Sequence, residues 1–373
     1  MKALCLYAGP LARRHLERNG LQPADITTIA AAAGGPKGLI LGALDRFIFG
    51  SWLARTTQEI HLVGASIGAW RMATACLNNS QAAFARFEHD YIHQHYEFLP
   101  GNKMPPPELV SAGFSRNLHN FFAGRVSEVL DHPRWRLHVL TSRGRHLLGR
   151  EQAVRTALGY LGAFLTNTAH RKAMGAWLER VVFSVRDVAL PFATDDYRTR
   201  QIRLDASNFF PALQASCSIP FALKAVHDIP GAPRGAYWDG GITDYHLHLN
   251  YAAAPYRGGP QTVDATTAGL QRGLVLYPHF QKSVVPGWLD KGLKWRHRAT
   301  RHLDTMVLLA PNPDWVRTLP NGKLPDRTDF TRYGNDLASR VEAWSRAVRA
   351  SDQLAQEFQD WLERPDLRQV QAL

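Results

Sequence analysis

The chain has 373 residues, of which 45% are apolar, with three cysteines and a net charge of +12. That length and apolar content support one large α/β unit or one and a half domains without staples. The widely spaced Cys5, Cys76 and Cys217, with no Cys-x-x-Cys pair, suit neither a disulfide framework nor a zinc site. No apolar run reaches the roughly 20 residues of a membrane-spanning helix, and the basic balance implies an anionic partner: phospholipid headgroups, nucleic acid or an acidic substrate.

Residues 1–10 carry too short an apolar run for a signal peptide and soon meet Arg13 and Arg14, so a reducing, cytoplasmic setting is expected. A short amphipathic helix is expected over 11–18, closed by Asn19 and Gly20. Residues 25–33 start β-branched and turn into alanines, as a central strand does when something packs tightly at its end. Gly34-Gly35-Pro36-Lys37-Gly38 follows at once, and then Leu39, Ile40, Ala43, Leu44 and Phe47 recur at helical spacing. Strand, glycine loop and helix in this order collect free backbone N–H groups around an anion.

Ile60, Leu62 and Val63 form a buried strand that runs into Gly64-Ala65-Ser66-Ile67-Gly68 and then a helix. A serine at such a turn sits in a strained backbone conformation at the helix N-terminus, with glycines on either side leaving room for two elements to cross. By itself this short string does not distinguish a nucleophile from an ordinary strand-to-helix turn.

Residues 81–132 read as helical and aromatic, broken at Pro105, Pro106 and Pro107. His89, Tyr91, His93, His95, Tyr96 and Phe98 crowd together there, but the histidine spacing is untidy and no carboxylate pair completes it. A solvated or packing face is expected, with no metal. Strands at 136–141, 181–185 and 202–204, separated by helix-length intervals, predict a mainly parallel sheet covered on both faces, a three-layer α/β/α fold.

A helix over 207–217 leads to Ser218-Ile219-Pro220-Phe221, and a short aromatic strand at 235–242 ends in Asp239-Gly240-Gly241. Two further strands are expected at 273–277 and 305–309, and a last long helix at 333–362. In the segment 288–303, Trp288, Gly292, Trp295, Ala299 and Leu303 share one face of a helix, with Lys291, Lys294, Arg298 and Arg301 elsewhere. Core packing with a solvated basic face is the favoured role, and lying on an anionic membrane the other. The only seam in sight is the glycine- and proline-rich patch 254–260, which divides a domain at 1–250 from an extension at 251–373 that is expected to pack on the same sheet.

Serine chemistry needs a base near the hydroxyl and donors for the oxyanion. Taken together and in order, Ala33-Gly34-Gly35-Pro36-Lys37-Gly38, Gly64-Ala65-Ser66-Ile67-Gly68, Ala215-Ser216-Cys217-Ser218-Ile219-Pro220-Phe221 and Asp239-Gly240-Gly241 resemble the signatures of the patatin-like phospholipases, over about 25–245. The family loop opens with an acid and a third glycine, where this chain has Ala32 and Ala33. The resemblance implies a lipid acyl hydrolase that works through an acyl-enzyme, without a cofactor or metal. It implies Ser66 as nucleophile, Asp239 as its base, and Gly34, Gly35 and Gly38 along the oxyanion site. Lys37 is either solvated or a contact for an anionic headgroup.

Two other readings stand beside it. One is a Ser-His-Asp hydrolase that draws on His279 or His302, and the other is a non-catalytic basic protein bound at membrane surfaces. With no finger spacing, no aromatic RNA-binding string and no concentrated basic tract, nucleic acid is not the expected partner; a phospholipid or other acyl ester, with peripheral contact to an anionic membrane, is.

Overall fold

The computed structural model describes residues 1–96, 105–253 and 273–373; Phe98 and the seam at 254–260 lie outside them. The strands are β1 (Leu4–Ala8), β2 (Ile26–Ala31), β3 (Ile60–Ala65), β4 (Trp135–Gly144), β5 (Leu178–Val185), β6 (Thr199–Leu204), β7 (Val226–His227), β8 (Ala236–Asp239), β9 (Leu274–Pro278), β10 (Met306–Pro311) and β11 (Val370–Ala372). They form one 11-stranded sheet in the order β11-β1-β10-β9-β2-β3-β4-β5-β6, with β8 pairing β4 and β7 pairing β8. Most neighbouring strands run parallel, and helices cover the sheet in a three-layer α/β/α arrangement. Ile29, Ile60, Leu62 and Val63 are fully buried, the near-continuous apolar run of strands covered on both faces.

The principal helices up to the middle of the chain are α1 (Pro10–Asn19), α2 (Gly42–Phe47), α3 (Ile67–Ala75), α4 (Ser80–His93), α5 (Pro107–Phe122), α6 (Val126–Leu130), α7 (Ala153–Ala169) and α8 (Phe209–Cys217). The expected helix after the glycine loop is a composite, with a 3-10 stretch over Gly35–Leu41, then α2, then a π-helical turn over Ile48–Trp52. β1 and β11 were not expected as strands. Each is short and lacks alternation, and becomes a strand only because β10 and β1 offer it a partner.

Two expectations fail. The segment 288–303 is not a helix but three short turns, Trp288–Asp290, Lys294–Arg296 and Arg301–Leu303. Asp290, fully buried between them, accepts from Asn167 at 2.8 Å, Arg171 at 3.0 Å and Arg296 at 2.9 Å, and these tertiary anchors override the helical spacing. The last long helix is three helices, Thr328–Tyr333, Leu337–Ala350 and Asp352–Glu363. Gly334 at φ 54° ends the first, and Asp336 caps the second through the amide of Ser339.

The central crossing depends on one missing side chain. A Cβ on Gly68 would lie 1.9 Å from the carbonyl oxygen of Ala31, so α3 can cross the end of β2 only with glycine there.

Candidate active site

β4 brings two distant parts of the chain together. Its Leu140 pairs with Ala65, the last residue of β3, and its next residue, Thr141, pairs with Asp239, the last residue of β8. Ser66 follows Ala65 directly and takes φ 56°, ψ −129°, a conformation that costs a β-carbon residue about 1–3 kcal/mol and persists because both flanking elements are packed. The Ser66 hydroxyl donates to Asp239 Oδ2 at 2.6 Å.

The second carboxylate oxygen, Asp239 Oδ1, accepts from the Gly241 amide at 2.7 Å. The Ser216-Cys217-Ser218 segment ties the two halves: Ser66 N donates to Ser216 Oγ at 2.9 Å, and Ser216 Oγ donates to the Leu140 carbonyl at 2.6 Å. From the same segment, Ser218 O accepts from Asp239 N and Ser216 O from Gly240 N. The resemblance singled out these small residues; their hydrogen-bonding work is visible only in three dimensions.

Ser66 and Asp239 are 3% and 5% exposed, so their chemistry is that of a desolvated site. Burial raises the Asp239 pKa above the usual carboxylate range, opposed by the Ser66 hydrogen bond, Arg327, the Gly241 amide and Lys291. A carboxylate held this way is a stronger base than an exposed one. Cys217 sits beside the pair, and its pKa is pushed well up, first by burial and then by the charge of Asp239. It is therefore a thiol rather than a second nucleophile.

Ser66 lies at the foot of a cleft of about 980 Å³, open mouth included, whose walls include Tyr91, Val110, Phe114, Cys217 and Leu223. Gly35 borders the same cleft at φ 57°, the left-handed region that favours glycine. In the turns and loops of the described residues the amides of Gly34 and Gly35 donate to no backbone carbonyl, and Ala33 N, bonded to Tyr245 O at 3.0 Å, anchors the loop ahead of them. Gly34 faces the Phe280 ring, and Gly38 lies behind the loop against Ile67 and Arg71.

Three cations lie close enough beside the site to act on one another. Lys37 lies 5.3 Å from the centroid of the Phe280 ring, with its pKa lowered first by burial. Lys291 stands over Tyr245 at 4.1 Å, its pKa lowered to about 8 by burial and by Arg327 and Lys37. Arg327 borders both the cleft and the hollow beside Asp239. Among the described residues no hydrogen bond or ion pair holds its guanidinium. Sequence reasoning found Lys37 and missed Arg327 and Lys291, since neither stands in a motif.

The histidines proposed for a triad stand elsewhere. His279 is fully buried among Tyr277, His246 and Phe280, its pKa lowered to about 3 chiefly by burial, and His302 lies beside His248; neither lines the cleft. His89 and His93 stack on each other, exposed, with centroids 4.2 Å apart. Among the described residues no helix is long and apolar enough to cross a membrane.

No known protein-family model matches the sequence, and no curated protein matches it. Among solved structures, a human GIVD cytosolic phospholipase A2 aligns with 96% of this chain and 63% of its own, at 13% identity and a TM-score of 0.32. The chain thus spans less than two thirds of that protein, and at that TM-score the likeness carries no argument about function.

Proposed function

We propose that the protein is a serine hydrolase of lipid acyl esters, of the phospholipase A or esterase type, with Ser66 as nucleophile and Asp239 as its base. The single observation that carries the reading is the 2.6 Å hydrogen bond from a strained, buried serine to a buried carboxylate at the foot of an apolar cleft. Ser66 Oγ attacks the ester carbonyl carbon as its proton passes to Asp239. The oxyanion that forms is met by the amides of Gly34 and Gly35 and by the N-terminal end of α3. Collapse breaks the ester C–O bond, and the leaving alkoxide takes the proton from Asp239. A water molecule, deprotonated by Asp239, then attacks the acyl carbon, and the fatty acid leaves as Ser66 recovers its proton. The apolar walls accept the acyl chain, and Arg327, which borders the cleft, with Lys291 and Lys37 near enough to feel its charge, suits an anionic group on the alcohol side.

The test is a panel of nitrophenyl esters and phospholipids run on the wild type beside Ser66→Ala, together with labelling by a fluorophosphonate. The wild type hydrolyses esters and is labelled at Ser66, and the variant does neither. Equal turnover by the variant, or labelling elsewhere, would refute the assignment.

A further inference from the structure

α7 is turned inside out for a helix on the surface of a globular domain. Its inward residues are Thr156, Gly159, Tyr160, Ala163 and Asn167, small or polar apart from Tyr160. Its outward residues include Val154 at 72% exposure, Leu158 and Leu161 at 54%, Leu165 at 59% and Phe164 at 39%. A helix that packs on a core has the opposite pattern, and a contiguous exposed apolar face marks a surface that something else covers. The patch continues beyond the helix. Phe221 is 57% exposed at φ 66°, with its ring 6.1 Å from that of Tyr160, and Trp295 is 64% exposed on a turn tied to α7 by Arg296 donating to the Thr168 carbonyl at 3.1 Å.

We propose that α7, Phe221 and Trp295 form the face by which the protein docks on an anionic lipid surface. Two observations choose a bilayer over a second copy of the chain. The first is charge. Of the cations along 143–172, Arg143, Arg150 and Arg171 are paired with Glu179, Asp228 and Asp290, and Arg145 donates to the Gly175 carbonyl, while Glu151 pairs with Lys224 at 3.4 Å. Arg155 on α7, Lys172 just after it and Lys294 beside Trp295 are exposed, with no acid paired to them among the described residues. A two-fold interface built on this patch would bring those cations against their own copies, whereas anionic headgroups neutralise them while the acyl region accepts the leucines. The second is continuity with the cleft. Ile219, Ala222 and Leu223 line it, and Phe221 stands among them with its ring outside. Tyr160 on the inner side of α7 packs on Trp238, the neighbour of Asp239. A bilayer seated here touches the apolar wall of the cleft, so an ester enters without crossing water. The docking rests on surface chemistry alone, and only the delivery of an ester rests on the hydrolase reading.

The experiment is flotation of the full-length Ser66→Ala protein with phosphatidylcholine vesicles, with and without phosphatidylglycerol, beside the same protein carrying Leu158→Ser and Leu165→Ser. Both leucines are exposed, so the pair is expected to keep the fold, checked by circular dichroism. The parent floats with the anionic vesicles and less with the neutral ones, and the leucine pair lowers the bound fraction about tenfold, the order expected for exchanging two apolar insertions. Unchanged flotation of the double variant, or a dimer in sedimentation that the same substitutions dissociate, would overturn the proposal. Flotation without any ester turnover by the Ser66-containing protein would keep the docking face and remove the hydrolase reading.

Discussion

Asp239 and Asp244 are near neighbours along one turn and are almost equally buried, at 5% and 1% exposure, yet their surroundings differ in kind. Asp244 is clamped by the Arg180 guanidinium through two hydrogen bonds of 2.6 and 2.8 Å, and the same guanidinium reaches Asp196 at 3.1 Å. Burial alone would lower the Arg180 pKa, but the charges of Asp244 and Asp196 outweigh it and raise it. Asp239 has no such clamp: a hydroxyl and one amide hold it, while Arg327 and Lys291 act only through their charge. A matched buried cation holds a carboxylate in place through paired hydrogen bonds and makes it structure. A hydroxyl in place of that cation leaves the charge poorly compensated and the oxygen free to take a proton.

The contrast can be broken most sharply at Asp239. The Asp239→Asn variant is expected to lose about 10²–10⁴-fold in ester hydrolysis, the range for removing a general base, while staying folded. In the wild type, hydrolysis is expected to fall as pH drops through the raised Asp239 pKa. Stability should move in the opposite sense to activity. Because the folded state holds the Asp239 proton to higher pH than the unfolded chain does, the resulting stability is full below about pH 3.9 and lost as pH rises through the folded pKa. Asparagine undergoes no such loss, so thermal melts should show the variant gaining on the wild type as pH rises and matching it in acid. Near-normal turnover, or no pH-dependent gain, would place Asp239 with the structural acids.

Asp244→Ala is expected to act through stability. It leaves Arg180 buried beside Asp196 alone, and breaking a buried pair costs about 3–5 kcal/mol, measurable by urea unfolding. A loss below about 1 kcal/mol would show that the clamp is not what secures the turn. The smallest of the three effects belongs to Ser216→Ala, which strips the Ser66 amide of its acceptor. A loss of about 1–3 kcal/mol in stability is expected, with slower hydrolysis as the elbow loosens. An unchanged variant would mean that the packing of Gly68 against Ala31 holds the elbow without help.

The parts of this molecule readable in the sequence are those set by neighbours along the chain. The buried strands announce themselves by runs such as Ile60-His61-Leu62-Val63, and the alanines at 30–33 foretell a close crossing that Gly68 completes. The parts that were not readable depend on partners far away. Trp288, Trp295 and Leu303 have helical spacing, yet Asp290 pulls the segment into turns because its hydrogen-bond partners sit on α7 and on the chain just after it. β1 and β11 have no strand signature of their own, and α7 hides its odd orientation in a periodicity that says which residues share a face but not which face looks outward. Arg327 joins the rim of the site from a helix boundary far from any motif.

The amino-acid order alone determined the α/β alternation and the sharp bend around Ser66, because each is written in local spacing and in the sizes of adjacent residues; Asp239 as the acid came only from the resemblance carried by the ordered motifs. Only the folded chain decided that Leu140 and Thr141 of one strand would set serine and carboxylate side by side, that Asp239 would lack the cation Asp244 has, and that leucines would face solvent. Those are matters of which surfaces meet, and a one-dimensional pattern carries no term for contact between distant residues.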